Sequence, residues 1–291
     1  MERIRPTRSV SQEEVETFWR DGVVCLRSIL PVDFVSSMAK PIEDALVGST
    51  MADLSEMADA LEAGSGAARL VDESVVASGV PRGHFKGGTD HWLIQPEFRD
   101  FALRSPLPEI VATLLRSDEV RLYEDSVLVK EPGTQEKTSY HQDMAYFHLD
   151  GDLICTTWVP LDVVTAEVGA VRFVVGSHLD ATKYRPNMFV SEMSIPGTEG
   201  QEVPDYDTMI GEARIVSFDT VPGDLTVHHA RTIHAASGNR SRTKRRRAIS
   251  VRYTGDGTRF KTTPGSPTKA HHGSLADGDL LSDDCCPLAW P

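Results

Sequence analysis

Val120-Arg-Leu-Tyr-Glu-Asp-Ser-Val-Leu-Val-Lys130 opens a series of six short segments rich in β-branched and aromatic residues. The others are LICTTWVPLDVV (153–164), AVRFVVGSH (170–178), ARIVSFD (213–219), DLTVHHA (224–230) and RAISVRYT (247–254). Turn residues separate them at a spacing typical of all-β sandwiches. Ahead of them the texture is helical. Ser11 and Glu14 form a capping-box pattern, and Val15, Phe18 and Trp19 fall at helical spacing before Gly22, which predicts a helix over 11–21. VVCLRSIL then reads as a strand, a second helix starts at Pro31, MADLSEMADALEAG makes a third ending at Gly64, and SPLPEIVATLLRSD a fourth. Residues 65–95 are glycine-rich without a clear period and read as a long irregular loop, a class usually functional or mobile. The tail from Gly255 is polar, with Leu280, Leu281, Leu288 and Trp290 as its apolar anchors, and is expected to wrap the surface. With no internal repeat and no Pro/Ser linker, the expectation is one α+β, mainly β domain. A helical support (1–118) and a surface tail (256–291) flank a double-sheet jelly-roll core (119–255).

Composition narrows the function classes. With 40% hydrophobic and 25% charged residues in 291, the chain is an ordinary soluble globular protein. A net charge of −13 disfavours nucleic acid and anionic membranes as partners. Cys25, Cys155, Cys285 and Cys286 show neither a disulfide framework nor zinc-ligand spacing, which fits a reducing cytoplasm. MERIRPTRSVSQEE turns acidic before any apolar run, and no stretch of about 18 apolar residues appears, so neither a signal peptide nor a transmembrane helix is expected. A soluble cytoplasmic monomer or homodimer acting on a small molecule is the resulting expectation.

Tyr140-His-Gln-Asp143 carries the most chemical information. At a strand end, residues i and i+2 project to one side, so His141 and Asp143 can offer an imidazole nitrogen and a carboxylate oxygen to one metal ion. These are two members of a 2-His-1-carboxylate facial triad, which leaves positions open on Fe(II) for a cosubstrate and oxygen. The third is sought in Pro222–Asn239, some ninety residues on, where His228 and His229 lie near the end of one strand and His234 opens the next, followed by small residues. Strand packing, or a hydrogen bond to a ligand, is the alternative use of His228 and His229. Downstream, Arg240–Arg247 holds six basic residues in eight and leads into a strand. One arginine there can grip a dicarboxylate as a planar fork, with the rest a solvated edge.

At this level of detail the sequence resembles the phytanoyl-CoA dioxygenase family of non-haem Fe(II)/2-oxoglutarate-dependent oxygenases. The resemblance spans roughly residues 10–255 and rests on four motifs in order. These are Lys130-Glu-Pro-Gly133; His141-Gln-Asp-Met-Ala-Tyr-Phe147; Trp158-Val-Pro-Leu-Asp162 with Gly169 and Gly176-Ser-His178; and Gly223-Asp224 with His229, His234, Asn239 and the arginine-led strand. It implies iron ligation by His141, Asp143 and His234, and a 2-oxoglutarate site lined by Trp158. The family's cosubstrate arginine lies eleven residues after the distal histidine, which points to Arg245; its Arg-x-Ala pattern points to Arg246. Strand phase favours Arg246, with Arg245 the fallback. Ala236 departs from members that carry a serine there, a place Ser237 could fill, and Lys130 is a further cosubstrate candidate.

The resemblance also implies the reaction type. Halogenating relatives lack the triad carboxylate, so Asp143 points to hydroxylation, or to desaturation or ring closure, with oxygen and 2-oxoglutarate consumed and succinate and CO2 released. The substrate is not implied. Loop 80–95, with Arg82, His84, Phe85, Lys86, His91 and Trp92, is the candidate lid; Met144, Tyr146 and Phe147 a candidate pocket wall; and Arg231 a further residue near the metal. Two rivals stand beside this reading: a cupin-like metal-dependent binding protein or isomerase without 2-oxoglutarate turnover, and a non-catalytic jelly-roll module.

Overall fold

A computed structural model describes residues 3–66, 69–209, 211 and 213–291. Seven helices precede the long strands: α1 Gln12–Asp21, α2 Val32–Ser37, α3 Ala39–Val47, α4 Leu54–Ser65, α5 Glu73–Ala77, α6 Pro96–Arg104 and α7 Leu107–Leu115. Interleaved with them are β1 Val23–Leu26, β2 Ala52–Asp53 and β3 Phe85–Thr89. Then follow β4 Val120–Lys130, β5 Thr138–His141, β6 Leu149–Asp150, β7 Ile154–Pro160, β8 Val171–Val174 and β9 Ile215–Ser217. The chain closes with β10 Leu225–His229, β11 His234–Ala236, β12 Arg246–Thr254, β13 Arg259–Phe260 and β14 Leu288–Trp290.

All strand pairings among the described residues are antiparallel. The major sheet runs β1-β10-β7-β12-β4-β3-β2, with β14 also on β4, and the minor sheet runs β5-β11-β8-β9. The fold is thus α+β, with several antiparallel sheets. Alternation in β12 shows how the layers stack. Ile249, Val251 and Tyr253 join the main core with Val15 and Phe18 of α1, Ile42 of α3, Phe98 and Phe101 of α6, and all the larger apolar residues of α7. Arg246, Ser250 and Arg252, on the opposite face, line a cavity shared with the minor sheet. The major sheet is therefore covered on both faces, which is why β7 and β10 are buried at every position.

The N-terminal helix is fixed by its sequence. The Ser11 side chain accepts from the Glu14 N–H, the Glu14 carboxylate accepts from the Ser11 N–H, and Trp19 Nε1 donates to the Leu114 carbonyl at 2.9 Å, tying α1 to α7. Such a cap contributes about 1 kcal/mol. Gly22 ends the helix at φ +78°, and a Cβ there would meet His178 Nδ1 at 2.4 Å. That close approach lets the Gly22 carbonyl accept from both the His229 N–H and the Thr232 hydroxyl, which pins the turn leading into His234.

Three expectations need correction. Residues 65–95 are not one irregular loop, because the stretch contains α5, β3 and a 3-10 turn at His91–Leu93; two glycines in β3 hid its alternation. The third helix passes Gly64 and ends at Gly66, which adopts the left-handed conformation. The tail's anchors are only partly those expected: Leu281 is buried and Trp290 packs on the main core, Leu280 and Leu288 are exposed, and Phe260, Cys285 and Cys286 are additional anchors buried with Tyr123, Phe147 and Ile154.

Candidate active site

His141 ends β5 and His234 opens β11, and the two residues are register partners, which brings their ring centroids to 4.2 Å. Asp143 starts a 3-10 turn directly after β5. Its Oδ1 lies 3.6 Å from His141 Nε2 and 3.7 Å from His234 Nε2. The three ligand atoms sit within 4.8 Å of one another, and all three side chains are buried. His141 Nδ1 contacts the Ser139 carbonyl at 2.7 Å and His234 Nδ1 the Thr232 carbonyl at 2.9 Å. A carbonyl only accepts, so each Nδ1 carries a proton and each Nε2 faces the shared point. Burial, then the neighbouring His141 and His228, holds His234 well below the usual imidazole range and keeps it neutral. Two imidazole nitrogens and one carboxylate oxygen suit a divalent transition metal such as Fe(II).

The second oxygen of Asp143 faces the other way. It accepts from the Thr156 hydroxyl and lies 3.4 Å from His228 Nε2 and 3.7 Å from Arg252 Nε. Burial pushes the Asp143 carboxyl up, but Arg252 and then the histidines outweigh it and hold the group well below the carboxylate range. His228 thus lies against the triad, with neither ring nitrogen in a hydrogen bond. His229 turns away, its Nε2 donating to the Asp152 carbonyl at 2.8 Å.

Arg246 occupies the far end of the cavity. It is 1% exposed, donates from Nη1 to the Gly169 carbonyl at 2.7 Å, stands 5.7 Å from the Trp158 ring and has Nε without a partner. Among the described residues no carboxylate pairs with it, and burial pulls it down to about 10, against the weaker opposing pull of Asp162. A buried guanidinium without a counter-ion is costly, and a ligand carboxylate relieves that cost. A dicarboxylate such as 2-oxoglutarate would supply that counter-charge. Arg245 points to the other side of the strand and pairs with Glu43 and Glu131, both at 2.7 Å. Lys130, the register partner of Arg246, is buried with its ammonium donating to the Glu136 and Ser237 carbonyls and 4.6 Å above the Phe85 ring, outside the cavity lining.

The residues expected to meet the substrate are dispersed. His84 is exposed and bound to Asp53, and Lys86 alternates with Phe85 and Gly87, which face the Leu128 side. Trp92 belongs to the main core, and Arg231 pairs with Asp152 near the surface. The structure does not bring these four to the cavity. Tyr146 comes closest, with its ring edge-on to His141 at 5.7 Å and its hydroxyl bound to Asn187; Met144 packs on the cluster around Phe147. The cavity wall is instead Leu128, Thr138, Val171 and Phe189. Phe189 lies 5.3 Å from His141 at φ +63°, a strained conformation for a bulky residue. No sequence signal marks it. Arg252 and Thr156 were readable, since each lies in phase with a residue already singled out, Arg246 and Trp158.

Two imidazoles and a carboxylate focused between two antiparallel sheets are the donor set of a mononuclear metalloenzyme that leaves coordination positions open. The chain belongs to the phytanoyl-CoA dioxygenase (PhyH) family of Fe(II)/2-oxoglutarate-dependent oxygenases, whose family model matches residues 18–248. It is 28% identical over 148 residues to a probable alpha-ketoglutarate-dependent hypophosphite dioxygenase of Stutzerimonas stutzeri, a match covering 50% of each chain. The chain therefore spans about half the length of that curated relative. Among solved structures it resembles the non-heme alpha ketoglutarate dependent carbocyclase SnoK from nogalamycin biosynthesis (TM-score 0.68, 22% identity, 98% and 99% of the two chains). It also resembles EctD from S. alaskensis with 2-oxoglutarate and 5-hydroxyectoine (TM-score 0.63, 18% identity, 96% and 92%). At these identities the likeness is one of fold. No helix among the described residues is long and apolar enough to cross a membrane.

Proposed function

We propose that this single catalytic domain, built on the family's double-stranded β-helix, hydroxylates a small molecule with consumption of 2-oxoglutarate and oxygen and release of succinate and CO2. His141, Asp143 and His234 hold the iron, and Arg246 with Trp158 holds the far carboxylate of 2-oxoglutarate. The observation that carries this reading is one cavity lined by both the triad and a buried arginine that has no carboxylate partner among the described residues. Bound iron supplies the oxidising chemistry. The chain's own residues do the rest. The Ser139 and Thr232 carbonyls fix the imidazole tautomers, Thr156 and Arg252 hold the outer oxygen of Asp143, and Trp158, Val171 and Phe189 exclude water from the site. Asp143 occupies the position that halogenating relatives leave free. Ring closure or epimerisation, named for two structural relatives, would use the same machinery on a differently posed substrate.

The test is anaerobic addition of Fe(II) and 2-oxoglutarate to the full chain. A visible charge-transfer band that disappears in His234→Ala is expected. No band in metal-loaded protein overturns the oxygenase reading in favour of a cupin-like metal protein. A succinate-release screen over small molecules then identifies the substrate.

A further inference from the structure

A file of alternating charge runs from the metal centre to the C-terminal tail. Arg252 Nε lies 3.7 Å from Asp143 Oδ2, and Arg252 Nη1 lies 3.5 Å from Glu124 Oε1. The other oxygen of Glu124 is ion-paired with Lys269 Nζ, which also reaches Asp90 Oδ2 at 2.6 Å. From Asp143 outward the side chains are 5%, 12%, 11%, 14% and 22% exposed, so water screens none of these contacts well. Asp90 enters the file from φ +61°, a region that Asp visits more readily than most residues. The tail around Lys269 is seated by aromatic contacts, His271 on Trp92 at 5.6 Å and His272 on Tyr123 at 5.1 Å.

Arg252 stands between two carboxylates that compete for it. Its Nη1 donates to Ser126 Oγ at 2.6 Å and faces Glu124, while Nε faces Asp143 and, among the described residues, makes no hydrogen bond. A cation on the far side of Glu124 decides the competition, because a neutralised Glu124 draws Arg252 less. We infer that Lys269 is a positioning residue for the metal centre: by satisfying Glu124 it leaves Arg252 to hold Asp143 Oδ2, so that Oδ1 stays aimed between His141 and His234. The inference rests on the reading of His141, Asp143 and His234 as the metal site.

The experiment titrates Co(II) into the metal-free full chain by calorimetry, with the visible ligand-field spectrum of the complex recorded alongside. Lys269→Met is expected to weaken Co(II) binding about fivefold and to shift the spectrum, an effect below the 10–100-fold typical of a direct partner of a metal ligand. Lys269→Arg should restore both. The decisive variant is Glu124→Gln/Lys269→Met. With the competing charge gone, Arg252 returns to Asp143 and Co(II) affinity should recover, whereas a purely structural tail lysine would leave the double variant as weak or weaker. Lys261→Met, which removes an exposed tail lysine near Asp150, is the control and should bind as wild type. If Lys269→Met does not fold, Lys269→Gln replaces it with the same expected loss. Wild-type affinity in Lys269→Met, or no recovery in the double variant, overturns the inference alone. Co(II) binding that persists in His234→Ala overturns the metal centre and the inference together.

Discussion

Arg246 makes a prediction in which stability and function move in opposite directions. This residue is 1% exposed, and among the described residues its guanidinium makes a single hydrogen bond, to the Gly169 carbonyl, and keeps Nε unpartnered. Replacing it with methionine keeps the length of the side chain and removes the buried charge. Loss of the bond to Gly169 costs about 1 kcal/mol. Removal of a buried charge that lacks a counter-ion returns several kcal/mol. Arg246→Met is therefore expected to raise the stability of the metal-free protein by about 1–3 kcal/mol, read from urea denaturation midpoints at constant slope. The same change removes one of the two arginines in the cavity lining, and the one that among the described residues has no carboxylate partner. Truncating one partner of a buried charged pair costs about 3 kcal/mol, or roughly a hundredfold in 2-oxoglutarate affinity. Anaerobic titration of the Fe(II) protein with 2-oxoglutarate measures it. Arg245→Met, which breaks pairs with Glu43 and Glu131 on the opposite side of the strand, should change that affinity by about twofold or less, as surface pairs contribute little. The reasoning is refuted if Arg246→Met destabilises the metal-free protein while 2-oxoglutarate affinity holds, or if Arg245→Met gives the larger loss.

Two other outcomes test the fold. Phe260→Ala should cost about 3 kcal/mol and lower the melting temperature by roughly 10 °C if the tail closes a genuine core, against less than about 0.5 kcal/mol for a surface wrap. His229 carries a pH signature: burial holds it down to about 4, and its Nδ1 accepts the Arg231 N–H, which requires the neutral ring. The unfolded chain takes up a proton below about 6.5 that the folded protein refuses. This contribution to stability is therefore complete above that pH and falls by about 3 kcal/mol on acidification toward pH 4. His229→Gln should flatten the slope of stability against pH across that window; an unchanged slope would show that His229 is protonated in the folded state.

The strands that carry alternating or continuous apolar runs were legible with good boundaries. β4 matches VRLYEDSVLVK residue for residue, and the Ser11 capping box and α1 follow the sequence closely. The triad geometry follows from a spacing of two at the end of a strand and from a histidine opening the next. What stayed hidden depends on long-range packing. β3 reads FKGGT, and its two glycines erase the period while making room for Leu54, Leu128 and His91. The tail looked polar because its buried residues include two cysteines, which pack as small hydrophobes and are easily counted only as redox groups. Phe189 reaches the cavity from an irregular segment anchored by Asn187, whose amide donates to Ser139 Oγ and the Tyr140 carbonyl. No local pattern encodes such a placement.

The two faces of β12 bear on how such chains can diverge. One face supplies Arg246, Ser250 and Arg252 to the cavity, and the other supplies Ile249, Val251 and Tyr253 to the core beneath the helices. A single inserted codon within the strand would exchange the two sets, burying charge under α7 and turning tyrosine toward the metal, which no drift in sequence could survive. An insertion in the turn at 237–245 between β11 and β12 leaves the alternation of the strand intact and costs only local contacts, such as those of Asn239 with the Lys130 and Lys244 carbonyls. The count from the distal histidine to the cosubstrate arginine is thus free to wander between lineages while the parity of the strand is not, and homologous arginines are properly matched by the face they occupy.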